Sequence, residues 1–159
     1  MKRIIYMLGI LLASCGNTKI PHSDTEAEQA TEQVEQIPFE ILLQDAHGGS
    51  ETPENRVVTD ESSLSAFYIQ INRMRKPGFP LPEIDFGKEA VAILCLGQKT
   101  TSGYSVIVDR IEETSDQQII WTKEISPQPT DMVAMVICQP FTIVKFPRTE
   151  KELVFKKVK

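Results

Sequence analysis

The chain is poor in the side chains that most often do chemistry. It has two histidines, His22 and His47, and three cysteines, Cys15, Cys95 and Cys138. Both histidines stand in polar stretches and neither Cys95 nor Cys138 has a histidine nearby in sequence, which argues against a Cys-His nucleophile pair or a metal site. No Gly-x-Ser-x-Gly elbow occurs, so His47-Gly48-Gly49-Ser50 reads as a solvated turn rather than an oxyanion segment. Glu112, Glu113 and Asp116 lack the regular spacing of a calcium loop and read as an ordinary turn. Basic residues are also in deficit, 17 Lys and Arg against 22 Asp and Glu, for a net charge of −5. Without a clustered basic face, a nucleic-acid partner is excluded. The expectation is a protein that is not an enzyme and uses no cofactor or metal.

Long apolar runs are missing too. The longest opens the chain: after Lys2 and Arg3, residues 4–12 are apolar apart from Tyr6 and Gly9, and Leu12-Ala13-Ser14-Cys15 follows. A membrane-spanning helix needs about 20 apolar residues, whereas a short basic start, an apolar stretch and small residues before a cysteine make an exported signal ending in a lipobox. Residues 1–14 are then the signal peptide, and Cys15 the lipidated first residue of the mature protein. Its acyl chains serve as the membrane anchor, at about 0.8 kcal/mol per buried methylene. Loss of Lys2 and Arg3 takes the net charge to −7. The expected location is the cell envelope, with the outer membrane as destination.

Residues 15–37 then form an acidic tether. No Lys or Arg occurs between Lys19 and Arg56, and a tract this polar cannot bury enough surface to offset the entropy of ordering it. As a random coil, some 20 residues span about 25 Å. A single folded domain is expected over residues 38–159.

Within it, residues 38–43 read as a strand, while 46–50 and 53–55 read as turns. Asp60 is placed as a helix N-cap, and Leu64, Phe67, Tyr68, Ile71 and Met74 make an apolar stripe that predicts one helix over 61–75. Pro77, Pro80 and Pro82 end it, with Phe79 expected to be exposed in the proline-rich connection. Six strand-like runs follow, at 91–96, 104–111, 118–125, 132–138, 141–146 and 153–155, rich in Val, Ile and aromatics and separated by turn signals. Closely spaced strands without helices between them imply antiparallel pairing. The fold class is α+β: a mainly antiparallel β sandwich or barrel with one packed helix. Trp121 is expected in the core beside the helix stripe, with a partner-binding role as the alternative. Cys95 and Cys138 sit in apolar runs, as small core residues or as a disulfide that an exported compartment permits.

The most distinctive folded segment is Gly97-Gln98-Lys99-Thr100-Thr101-Ser102-Gly103-Tyr104-Ser105-Val106, a polar loop between two strong strands. Gly97 and Gly103 allow the sharp exits such a connection needs. A loop on a rigid hairpin is a usual place for recognition. Together with Asp85-Phe86-Gly87-Lys88-Glu89-Ala90-Val91, Pro127, Cys138-Gln139-Pro140-Phe141-Thr142-Ile143-Val144 and Val154-Phe155, this loop resembles the C-terminal domain of the protease complex subunit PrcB family over residues 83–156. The resemblance implies a lipoprotein module that supports an exported or surface protease. The expected partner-binding residues are Lys99, Thr100, Thr101, Ser102, Gly103 and Tyr104, with Gln139, Pro140 and Phe141 as a second loop.

Thr100-Thr101-Ser102-Gly103-Tyr104 is also similar to the loop by which chagasin-type inhibitors enter the cleft of papain-like proteases. The other two loops of that family are not matched: Ser126-Pro127-Gln128-Pro129-Thr130 is not glycine-rich, and Cys138-Gln139-Pro140-Phe141 lacks the arginine. A protease inhibitor is therefore the rival to a stabilising subunit, and a structural envelope lipoprotein without a protease partner the third possibility.

Overall fold

The computed structural model describes residues 34–158. The expected signal peptide, the lipidated Cys15 and the tether as far as residue 33 lie outside the described residues.

Eight strands form two four-stranded sheets, with one helix. One sheet has the order β2 (Glu40–Asp45), β7 (Phe141–Pro147), β4 (Glu89–Leu96), β3 (Pro53–Val58), all antiparallel. The other has β1 (Glu35–Ile37), β5 (Ser105–Glu113), β6 (Gln117–Ile125), β8 (Glu152–Lys157). The sheets face each other as two layers and do not close into a barrel. Helix α1 (Glu61–Ile71) makes a third layer on the outer face of the β2-β7-β4-β3 sheet.

That layering explains why β4 is apolar throughout. Val91, Ile93 and Cys95 pack toward Leu64, Phe67, Tyr68 and Ile71 of the helix, together with Phe141 and Ile143 of β7. Ala90, Ala92 and Leu94 face the other sheet, in a second core with Val106, Val108, Ile111, Ile120, Val144 and Phe146. A strand covered on both faces cannot alternate polar with apolar residues, so it reads as an unbroken run. At one end the sheets are stitched by buried Thr142, whose hydroxyl donates to the Val106 carbonyl at 2.5 Å; the Gln44 amide reaches the same oxygen at 3.3 Å.

Asp60 caps the helix as the sequence predicts. Its carboxylate accepts from the Ser63 amide (2.8 Å) and from the hydroxyls of Ser62 (2.6 Å) and Ser63 (2.8 Å), bonds that hold the carboxyl down at about 2. The helix stops at Ile71, with Asn72 as C-cap. Met74 thus falls outside it and is 98% exposed.

Several expectations are corrected. The antiparallel rule fails for β6 and β8, which pair in parallel from Gln117↔Glu152 to Thr122↔Lys157. This pairing is possible because the chain travels the length of the opposite sheet in β7 before returning as β8. Pro53 opens an edge strand instead of marking a turn, a position where its missing N–H is harmless. Strand β1, paired with β5 from Glu35↔Glu113 to Ile37↔Ile111, lies within the span expected as tether. Phe79 is packed against the helix-side core: Asn72 brackets it by accepting from its N–H (2.7 Å) and donating to its carbonyl (2.9 Å), and the Arg75 guanidinium lies over its ring at 4.2 Å. Trp121 is not beside the helix stripe but in the other sheet, half-buried. Its Nε1 donates to Glu112 at 2.6 Å and Arg110 lies 4.4 Å from its ring. The hydrogen bond from Arg110 holds the Glu112 carboxyl below its ordinary value. The largest correction concerns residues 132–138, which form no strand.

The strand directions define two ends. Val34 and the turns 113–117 and 147–152 lie at one end. The other gathers the C-terminal end of α1, the turn 46–50, and the connections β4–β5 and β6–β7.

Candidate functional site

The β4–β5 loop leaves β4 at Gly97, whose φ of +74° and close approach to Pro53 leave no room for a Cβ. Gly103, at φ +94°, turns the chain back into β5 beneath Pro127 and Val133. Between them the loop is held on both sides. The Gln98 amide donates to the Glu51 carbonyl at 2.9 Å. Lys99 and Cys138 exchange backbone hydrogen bonds at 2.8 and 2.9 Å, an isolated antiparallel bridge. Ser102 is clamped twice to Ala134: its amide donates to the Ala134 carbonyl at 3.0 Å and its Oγ accepts from the Ala134 amide at 2.9 Å.

The Lys99 ammonium sits 2.9 Å from a Glu124 carboxylate oxygen and 4.9 Å from the centre of the Tyr104 ring. Lys99 and Tyr104 are therefore half-buried bracing, while Thr100 and Gly103 are exposed and Thr101 and Ser102 partly so. The second expected loop is placed differently. Gln139 is half-buried and strapped to the turn 46–49 by its N–H to Ala46 O (2.9 Å) and its carbonyl to Gly49 N (3.0 Å). Pro140 is buried, and Phe141 is fully buried with its ring 5.5 Å, edge to face, from Phe67. These two hold the base of the loop and offer a partner no surface.

What the structure brings to the Thr100 loop instead is the segment from 131 to 138. It starts in a turn closed by Asp131 N to Gln128 O (2.9 Å) and Gln128 N to Asp131 Oδ2 (2.7 Å). Met132 is 101% exposed, Met135 86% and Ile137 59%, with Val136 also open to solvent. Apolar residues this exposed, on backbone pinned at Ala134 and Cys138, make a ready contact surface. The sequence reading missed them because β-branched and apolar composition is the same signal in a strand and in a docking loop. Pro127, Pro129 and the Thr130-Asp131 turn just before the run, and Pro140 just after it, were the available hints.

Residues 90–147 match the family model described as PrcB C-terminal. Over these residues the chain is similar to the PrcB C-terminal domain. No curated protein and no solved structure matches the chain. The PrcB C-terminal region runs from β4 through β7, so it contains both connections of the candidate site and the central strands of both sheets. It leaves out the helix, β1, β2, β3 and β8.

Among the described residues no group of three or more His, Cys, Asp or Glu is arranged to hold a metal ion. Cys95 and Cys138 are both buried and free, and burial pushes the Cys95 thiol up, away from the reactive thiolate. Among the described residues no helix is long and apolar enough to cross a membrane.

Proposed function

We propose that the protein is a non-enzymatic, lipid-anchored envelope subunit that binds an exported protease through the two-loop end of the PrcB C-terminal domain and stabilises or positions it. The observation that carries this reading is the pairing of the Thr100–Ser102 stretch with the exposed Met132, Met135, Val136 and Ile137. Contiguous exposed apolar side chains mark interaction sites, and each contributes about 1.5–3 kcal/mol when fully covered. Methionines adapt to irregular partner surfaces, while the clamped backbone limits the entropy lost on binding. Binding to the native protease alone stabilises it by mass action against unfolding or self-cleavage. Lipidation at Cys15 and the acidic tether keep the module at the membrane, in our reading the outer membrane, at high effective concentration.

The test is affinity capture of the full-length protein from membranes after mild crosslinking, beside a variant carrying Met132→Ser, Met135→Ser and Ile137→Ser. The expected result is a protease recovered with the unaltered protein, lost from the variant at an unchanged melting temperature, and reduced in amount when the protein is deleted. Higher proteolysis on deletion would instead establish an inhibitor, and no change in either quantity would leave a structural envelope component. Palmitate labelling should vanish with Cys15→Ser; label that persists refutes the anchor.

A further inference from the structure

Beside the two loops, at the C-terminal end of α1, lies a hollow of about 450 Å³ lined by His47, Gly48, Gln70, Arg73, Arg75 and Gln139, among others. In a chain of net charge −5, three cations fall within four residues here, Arg73, Arg75 and Lys76, all bordering the hollow. Arg75 is fixed in place: its guanidinium lies on the Phe79 ring and one Nη is 3.0 Å from the Asp45 carboxylate. Its Nε is nonetheless buried without a hydrogen-bond partner. Among the described residues Arg73 and Lys76 make no ion pair.

We infer that this hollow receives a carboxylate-bearing, acidic peptide segment of the partner that the two loops hold, an inference that rests on the binding reading above. Gln139 joins the two surfaces: it lines the hollow and stands two residues from exposed Ile137. The Gln70 and Gln139 amides supply donors and acceptors suited to a peptide backbone. The recess also favours a peptide over a lipid surface, because a flat headgroup layer meets protruding side chains and Arg75 is drawn back against Phe79. The partner should thus present an apolar patch bordered by Asp or Glu. Its acids would be drawn by Arg73 and Lys76, with the effect greatest on the association rate and weakened by salt.

The probe is a short oligoglutamate peptide titrated into the isotope-labelled full chain and followed by backbone amide shifts. Shifts confined to the turn 46–49, residues 70–76 and Gln139 are expected, with affinity weakened several-fold between about 20 and about 200 mM salt. Arg73→Glu with Lys76→Glu should weaken it about tenfold. The neutral pair Arg73→Gln with Lys76→Gln should give an intermediate loss, which separates charge from misfolding. Shifts scattered over the surface, or unchanged by the charge reversal, overturn the inference. So does binding of phosphatidylglycerol vesicles through these residues when the peptide gives none, which makes the hollow a membrane contact. No protease enters this measurement, so it can fail while capture through Met132 and Met135 succeeds, and the reverse.

Discussion

Ser102→Ala removes one of the two bonds that clamp Ser102 of the β4–β5 loop to Ala134 of the apolar segment. The Oγ that accepts from the Ala134 amide at 2.9 Å is lost, while the backbone bond from Ser102 N to Ala134 O at 3.0 Å stays. The net worth of such a bond is about 0.5–1.5 kcal/mol. Local opening becomes easier by that amount, and hydrogen exchange at the Ala134 amide should quicken by roughly 2- to 13-fold, since 1.4 kcal/mol is a factor of ten. Amides of β4 and β7 exchange only through larger openings and should stay far better protected than Ala134. The melting temperature should fall by about 5 °C at most. Partner capture should weaken by no more than the factor seen in exchange, because the substitution lowers only the population of the braced loop. Unaltered exchange at Ala134 would refute the clamp, and a loss of capture far beyond the exchange factor would mean that Ser102 touches the partner itself.

Phe141→Ala should cost about 3–5 kcal/mol, because the ring is fully buried against Phe67. Denaturant melts read this directly, and a near-neutral result would return Phe141 to the surface. Asp60 has its carboxyl held at about 2 in the folded chain, below its ordinary value of 3.8, so its contribution is complete above pH 3.8 and fades as pH falls toward 2. Asp60→Asn should therefore flatten the fall in stability between about pH 4 and 2, measured by thermal melts across that range; an unchanged slope would dismiss the cap's role. Cys95 and Cys138 should resist a thiol reagent in the native protein and both react after unfolding without reductant, and a failure to react would mean a disulfide.

The legible parts of the fold were those in which local chemistry and tertiary packing agree. Asp60 with two serines behind it, and Leu64, Phe67, Tyr68 and Ile71 at helical spacing, specify a capped helix and its buried face from a dozen residues. The unbroken run of β4 announced a strand, although only the structure shows that the helix and the opposite sheet share it. Met74 continued the stripe in spacing but not in space, because Asn72 turns the chain to bracket Phe79. Parallel pairing of β8 with β6 was illegible, being decided by which sheet edge lies open after β7. Residues 132–138 misled for the plainest reason: propensity records what a segment prefers, not whether a strand edge is free to receive it. Both edges of β4 are taken, by β3 and β7, so the segment's backbone groups go to Lys99 and Ser102 and its apolar side chains to solvent. The Thr100 loop was found from its glycines, whereas its apolar companion needed the coordinates.

The opposed placement of residue 34 and the loops has a mechanical side. Nine residues of β5 separate the ends, about 30 Å at strand rise. A pull on the chain at residue 34 against a partner gripped at Met132 and Thr100 runs along the strands and not across them. It loads the hydrogen bonds of β1 with β5 in shear, all at once, and then those of β2 with β7. A ladder stressed this way yields only when several bonds break together, so the domain is oriented to carry tension between residue 34 and the two loops.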